Sequence, residues 1–105
     1  MKIIDEGYTY ELENLDLDCA PTQQLKFIKK EPAADDEARY ETVQNGTTNE
    51  EVLEMLISRL QYLQREKLSC KENACTITKL EEALMWLNKR TNDRKNRGVL
   101  DTQKP

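Results

Sequence analysis

The sequence predicts an α+β fold in which a small antiparallel β-meander precedes an antiparallel helical hairpin. In the first half of the chain, apolar and polar residues alternate with the period of a half-buried strand. After the Asn45-Gly46 turn, apolar residues recur every three or four positions, which is helical spacing. We expect a single domain over residues 1–105 that forms a homo-oligomer, with β-strands in 1–44, helix one over 48–68, helix two over 70–97 and a tail over 98–105.

Three short runs predict the strands of the meander. Tyr8, Tyr10 and Leu12 alternate with polar residues and form the first run. Leu25–Lys29 is the second, and Arg39–Val43 is the third, after a break at 32–37. Because so few large apolar residues cannot stabilise a sheet alone, we expect its apolar face to lie on helices or on a second subunit.

Helix one has a start signal and an apolar face. Thr48 and Glu51 fit a capping box, in which each side chain accepts a hydrogen bond from the backbone N–H of the other residue. The apolar face that follows has spacings of four, four and three and predicts packing into the core; it contains Val52, Leu56, Leu60 and Leu63. Ser69 or Asn73 is then positioned to cap the second helix.

Helix two is apolar on more than one face. Its main stripe has the alternating spacing of a coiled coil and consists of Ile77, Leu80, Leu84, Leu87 and Thr91. Met85 and Trp86 lie on another side of the cylinder and are the natural self-association surface. Gly98 predicts where the helix stops.

The end of helix two concentrates positive charge. The segment Lys89–Gly98 carries +4, whereas the rest of this −4 protein carries −8. Cations there complement the helix dipole and solubilise the surface. Alternatively, Arg90, Arg94 and Arg97 project from similar sides and bind an anion through their guanidinium groups. The negative remainder disfavours a long nucleic acid as the partner.

The start of helix two is a second candidate anion site, formed by Lys71, Asn73 and the free amides of the first turn, although an ordinary helix cap is the simpler explanation of these residues. The two ends of the helix are roughly 30 Å apart. Both can therefore serve one ligand only in a two-fold dimer with two equivalent pockets. Tyr62 and Leu63 then provide a wall of the pocket, or are plain packing residues.

Composition restricts the class of protein. At 105 residues with 37% hydrophobic and 34% charged residues, the chain has a thin core, which favours more than one copy per assembly. No apolar run suits a bilayer and the start does not resemble a signal peptide, so we expect a cytosolic protein.

The chain has no histidine, which removes Ser-His and Cys-His dyads and leaves its three cysteines without a zinc-site partner. We expect neither an enzyme nor a bound metal or cofactor.

At these residues the chain resembles a known family. The block CKENACTITKLEEALMWLNKRTNDRKNRGV, preceded by NGTTNEEVLEMLISRLQYLQ, is similar to the helical hairpin of the first Thoeris anti-defence family of phages, which is related to the second anti-CBASS family. The resemblance implies a non-enzymatic phage protein, acting in the cytoplasm of the infected bacterium, that sequesters glycocyclic ADP-ribose. Whether CBASS cyclic oligonucleotides also bind, and whether the assembly is a homodimer or a hexamer, stays open.

The resemblance also implies ligand-binding residues. Asn73 matches a residue that binds the base or ribose, and Arg90 matches one that binds a phosphate, while Lys71, Arg94 and Arg97 match basic positions. Leu63 stands where family members carry a stacking aromatic residue, so that neighbouring Tyr62 is the candidate substitute. The chain departs again at Val99-Leu100-Asp101-Thr102, where family members continue with Glu-Gly-Thr.

Two other functions compete with a sponge. In the first, the Trp86 face of helix two docks a protein partner and the basic end only improves solubility. In the second, the chain is an enzyme that cleaves the signal, which the absence of histidine and of catalytic motifs disfavours.

Overall fold

The computed structural model describes residues 1–16 and 21–98. These residues form two compact units, one spanning Met1–Thr48 and the other beginning at Asn49. The first contains antiparallel strands and the second contains two helices, which confirms the predicted fold class. The expected tail lies largely outside the described residues. Neither of the described helices combines the length and apolar character that a membrane span requires.

The first unit contains five strands in two antiparallel sheets. A three-stranded meander has the order β1 (Lys2–Asp5), β2 (Thr9–Leu12), β3 (Gln23–Lys26). A two-stranded sheet pairs β4 (Lys29–Pro32) with β5 (Tyr40–Gln44). The predicted runs correspond to β2, β3 and β5, whereas β1 was missed because adjacent Ile3 and Ile4 do not alternate with polar residues.

The predicted strand over 25–29 divides into β3 and β4 because its backbone changes partners. Phe27 N donates to Tyr8 O at 2.7 Å, but Ile28 N donates to Thr47 O at 3.0 Å. Thr47 N in turn donates to Lys26 O at 2.8 Å. The chain therefore leaves the first sheet at Phe27 and pairs with the segment before the helices, a contact that local alternation does not encode.

The second unit is an antiparallel hairpin of α1 (Asn49–Arg65) and α2 (Lys71–Asn96). Contacts at both ends establish the direction. Near the start of α1, Thr91 Oγ1 donates to Glu50 Oε1 at 3.2 Å. At the other end, the Gln64 amide accepts from Cys70 N at 2.9 Å and donates to Cys70 O at 3.0 Å. Because Thr91 lies opposite the start of α1, the last turn of α2, with Arg94, and the C-cap residue Arg97 extend past it.

The ends of α2 differ in how well the sequence predicted them. Neither Ser69 nor Asn73 is the N-cap: Cys70 takes that place in an extended conformation, and its Sγ accepts from Asn73 N at 3.4 Å. The reason is tertiary, because Gln64 of α1 holds both backbone polar groups of Cys70. At the other end, Gly98 adopts φ 71° and donates to Lys95 O at 3.1 Å, as a helix-terminating glycine does.

The core is thin, as the composition indicates. Among the described residues, the buried hydrophobic side chains are Ala33 in the strand unit and Ile57 in the hairpin. Met55, Met85 and Trp86 are each more than half exposed. The hairpin therefore leaves much apolar surface uncovered. Side chains of this size would stabilise the protein if another surface buried them.

Candidate ligand-binding site

The basic end of α2 forms a pocket of about 230 Å³, here called the basic pocket. Successive turns of one helix face supply its side chains, since positions three and four apart on a helix are neighbours. Four of the side chains are cationic and one is a carboxylate, which makes the pocket attractive to anions. The lining residues are Trp86, Lys89, Arg90, Asp93, Arg94 and Arg97.

Charge within the basic pocket is unevenly compensated. Lys89 Nζ and Asp93 Oδ2 form an ion pair at 2.9 Å, so the single carboxylate of the pocket is engaged by a lysine. Arg94 is 7% exposed, whereas Arg90 and Arg97 are exposed. The side chain of Arg90 makes no hydrogen bond or ion pair with any residue in 1–16 or 21–98. Its guanidinium group is therefore the part of the pocket best placed to bind an anion by donating hydrogen bonds to it.

The other predicted residues lie at the opposite end of the hairpin. Asn73, in the first turn of α2, donates from Nδ2 to Leu68 O at 3.4 Å and is partly buried. Lys71 is exposed, Tyr62 is 51% exposed and Leu63 is partly buried. These residues share a region at the turn, here called the turn cluster.

The structure therefore divides the seven predicted site residues into two groups. Asn73 and Arg90 are 17 positions apart on one continuous helix, which corresponds to about 26 Å along its axis. A mononucleotide-sized ligand cannot reach both within one chain. The arrangement matches the expected separation of the ends of helix two.

Sequence reasoning missed three residues of the basic pocket. Lys89 and Asp93 were counted only as charges, and Trp86 was assigned to self-association. The signal that relates Trp86 to Arg90 is their spacing of four on a helix. What local spacing cannot provide is the exposure of the indole, which is 59%.

A larger groove of about 810 Å³ runs between the two helices. Ile57, Leu84 and Met85 contribute apolar surface to it, and the surrounding side chains are mostly polar or acidic. Lys89 and Asp93 line both the groove and the basic pocket, so the two depressions are neighbours on α2. None of the seven predicted site residues lines the groove.

Comparison with known proteins gives two matches. The family model described as "Acb2/Tad1, hairpin domain" matches residues 27–92, which include Asn73, Trp86 and Arg90 but not Arg94 or Arg97. A protein of Bacillus phage SBSphiJ7 named "Thoeris anti-defense 1" is 60% identical over 58 residues. That alignment covers 55% of this chain and 41% of the relative, so the chain spans about two fifths of the length of that protein.

Proposed function

Because this chain belongs to the Acb2/Tad1 hairpin-domain family, we propose that it is a phage protein that binds and sequesters a host cyclic ADP-ribose immune signal without cleaving it. By withholding the signal in the cytoplasm of the infected bacterium, it inhibits Thoeris defence. The observation that carries the proposal is the 60% identity to a protein named "Thoeris anti-defense 1" over the part that the two share.

The chemistry of the basic pocket supports this ligand. A cyclic ADP-ribose carries a pyrophosphate with two negative charges, and guanidinium groups bind phosphate oxygens through paired, charge-assisted hydrogen bonds. In the proposed complex Arg90 binds a phosphate, and Arg94 and Arg97 of the same pocket add positive potential. Asn73 hydrogen-bonds the base or the ribose, with Lys71, Tyr62 and Leu63 around it.

A complete site requires a second copy of the chain. The basic pocket, at about 230 Å³, is smaller than the roughly 300–1,000 Å³ of typical ligand pockets. A two-fold dimer with antiparallel α2 helices brings the turn cluster of one copy to the basic pocket of the other, and does so twice. Three such dimers around a three-fold axis would form a hexamer.

Sequestration sets different requirements from catalysis. A sponge needs a number of sites comparable to the number of signal molecules and a Kd below the working concentration of the signal. It needs no turnover, in keeping with a site built from arginines, an amide and apolar side chains. Cyclic di- and trinucleotides of the CBASS pathway share the anionic phosphates and belong in the same binding test.

The direct test combines calorimetry with recovery of the ligand. We expect a cyclic ADP-ribose isomer to bind and to be released chemically intact when the protein is denatured by heat. Arg90→Ala should weaken binding by roughly 10- to 100-fold, because a hydrogen bond to a charged group contributes about 1.5–3 kcal/mol. Lys79→Ala is the matched control, since it removes a cation from an exposed ion pair with Glu82 elsewhere on α2.

Three results would contradict the proposal. Absence of heat with every cyclic nucleotide would favour the docking role, for which the exposed Met85 and Trp86 are the supporting observation. A cleaved ligand in the mass spectrum would indicate an enzyme. Equal affinity of Arg90→Ala and Lys79→Ala would remove the basic pocket from the site.

A further inference from the structure

Trp86 combines three properties that its role in packing does not explain. It is the only tryptophan of the chain, it is 59% exposed, and it lines the basic pocket. Indole rings contribute strongly to stability when they are buried. The exposed ring of Trp86 contributes little of this stability, although the chain has few other large apolar side chains in its core. A ligand that covers the ring would account for its position.

The neighbours of Trp86 define the chemistry of such a ligand. Arg90 is one helical turn further along the same face, and residues four apart have Cβ atoms about 5–6 Å from each other. Arg97 continues the same pocket. A flat apolar ring and guanidinium groups thus lie side by side, which suits a molecule that joins an aromatic base to a phosphate through a sugar.

Alternatives for the stacking role are few within the hairpin. Tyr62 and Trp86 are the two aromatic residues in the range 49–98. Tyr62 lies at the turn, as does Leu63, whose side chain is aliphatic and partly buried. Within one chain, Trp86 alone among these lines the same pocket as the cations.

We propose that Trp86 is the base-stacking residue of the site and that the adenine ring of the bound nucleotide lies against its indole. This inference rests on the proposed function and adds the determinant of its ligand specificity. Arginines alone bind pyrophosphate of any origin, whereas an indole beside them favours a pyrophosphate attached to a purine. In this chain Trp86 thereby supplies the stacking surface that Leu63 lacks.

The single tryptophan allows a direct optical test. Stacking of a purine on an indole quenches its fluorescence, so titration with a cyclic ADP-ribose isomer should quench the emission of the wild-type protein. Inorganic pyrophosphate and ribose 5-phosphate, which lack a base, should leave the emission nearly unchanged at equal site occupancy. Calorimetry on the same samples gives the occupancy.

Substitutions separate stacking from a structural role. Stacking of one base on an aromatic ring contributes substantially to binding affinity. Trp86→Leu should therefore weaken binding of the adenine nucleotide by roughly 10- to 100-fold. Trp86→Phe keeps an aromatic face and should recover most of the affinity. Affinity for pyrophosphate alone should be the same in all three proteins. Met55→Leu is the control, because Met55 is similarly exposed and lines neither the groove nor the basic pocket.

Light scattering and circular dichroism identify any variant that changes the assembly or the fold. If Trp86→Leu does so, the wild-type quenching and the Trp86→Phe affinity decide the question. The inference is overturned if the wild-type protein binds the nucleotide by calorimetry without quenching, or if a folded Trp86→Leu protein binds it normally; both leave the proposed function intact. If the wild-type protein binds no cyclic nucleotide, the proposed function itself fails.

Discussion

Gly46 occupies a position at which any side chain would collide with backbone. A Cβ added there would lie 2.5 Å from Lys26 O and 2.6 Å from the carbonyl carbon of Phe27. The same close approach allows the hydrogen bonds of Thr47 with Lys26 and Ile28. One missing side chain therefore permits the strand unit to pair with the segment that leads into α1.

Gly46→Ala should destabilise the strand unit by about 3 kcal/mol, because overpacking against rigid backbone adds to the loss of the neighbouring hydrogen bonds. Gly7→Ala is the comparison: Gly7 has φ 84° but open space around it, so its cost is limited to about 1 kcal/mol of backbone strain. Urea unfolding followed by circular dichroism measures both. Equal effects would show that the close approach at Gly46 is unimportant.

Asn73 allows binding and stability to be separated. It is the third residue of α2 after the Cys70 cap, where a carboxylate interacts favourably with the helix dipole. Asp cannot donate the long Nδ2 hydrogen bond to Leu68 O, but the gain from the helix dipole offsets this loss, so Asn73→Asp should change the melting temperature little. It should nevertheless weaken binding of the cyclic nucleotide at least about 10-fold, because it replaces an amide donor with an anion near phosphates. Calorimetry and thermal unfolding of the same samples test this, and undiminished affinity would exclude Asn73 from the site.

At the scale of elements, the hairpin depends on a few contacts. Ile57 is its buried hydrophobic residue among those described, and the Thr91–Glu50 and Gln64–Cys70 hydrogen bonds secure its two ends. The side-chain amide of Gln64 in α1 bonds both the backbone N–H and the backbone C=O of Cys70, just before α2. It sets where α2 begins, and so where Asn73 lies.

Ile57→Ala should destabilise the hairpin by about 2–4 kcal/mol, since it removes buried methyl groups and leaves a cavity. Met55→Ala, on the same helix but 55% exposed, should change stability by no more than about 0.5 kcal/mol. Thermal unfolding of the two variants provides the comparison. If the two variants lose similar stability, Met55 is buried by another copy of the chain in the assembly, although it is exposed in a single chain.

At the scale of the whole molecule, one chain carries the proposed site residues in two separated groups, the turn cluster and the basic pocket. A shared ligand site then depends on a second copy that runs in the opposite sense. The uncovered apolar surface of the hairpin, including Leu56 and Met85, gives such a copy something to bury. Assembly and ligand binding are consequently expected to depend on each other.

Complementation between two inactive variants tests the shared site. In a mixed dimer of Asn73→Asp and Arg90→Ala chains, one pocket carries both substitutions and the other carries neither. Random pairing of equal amounts after refolding should restore wild-type affinity in about a quarter of all pockets, as measured by calorimetric stoichiometry. If each chain binds its ligand alone, mixing will restore no high-affinity site.

The sequence by itself determined the features that depend on neighbours along the chain. Helical spacing indicated both helices and the basic face of α2, and the alternation in the strands indicated β2, β3 and β5. Gly98 signalled the end of α2, because a left-handed C-terminal residue is a local requirement. The candidate residues Arg90, Arg94 and Arg97 were likewise found together because a helix places them together.

Tertiary structure decided the features that depend on residues far apart in sequence. The division between β3 and β4 follows from Thr47, and the Cys70 cap follows from Gln64. Only the folded hairpin reveals that Trp86 stays exposed beside Arg90. The physical reason is the same in each case: hydrogen-bond partners and burial are set by which segments meet, and local propensity carries no information about that.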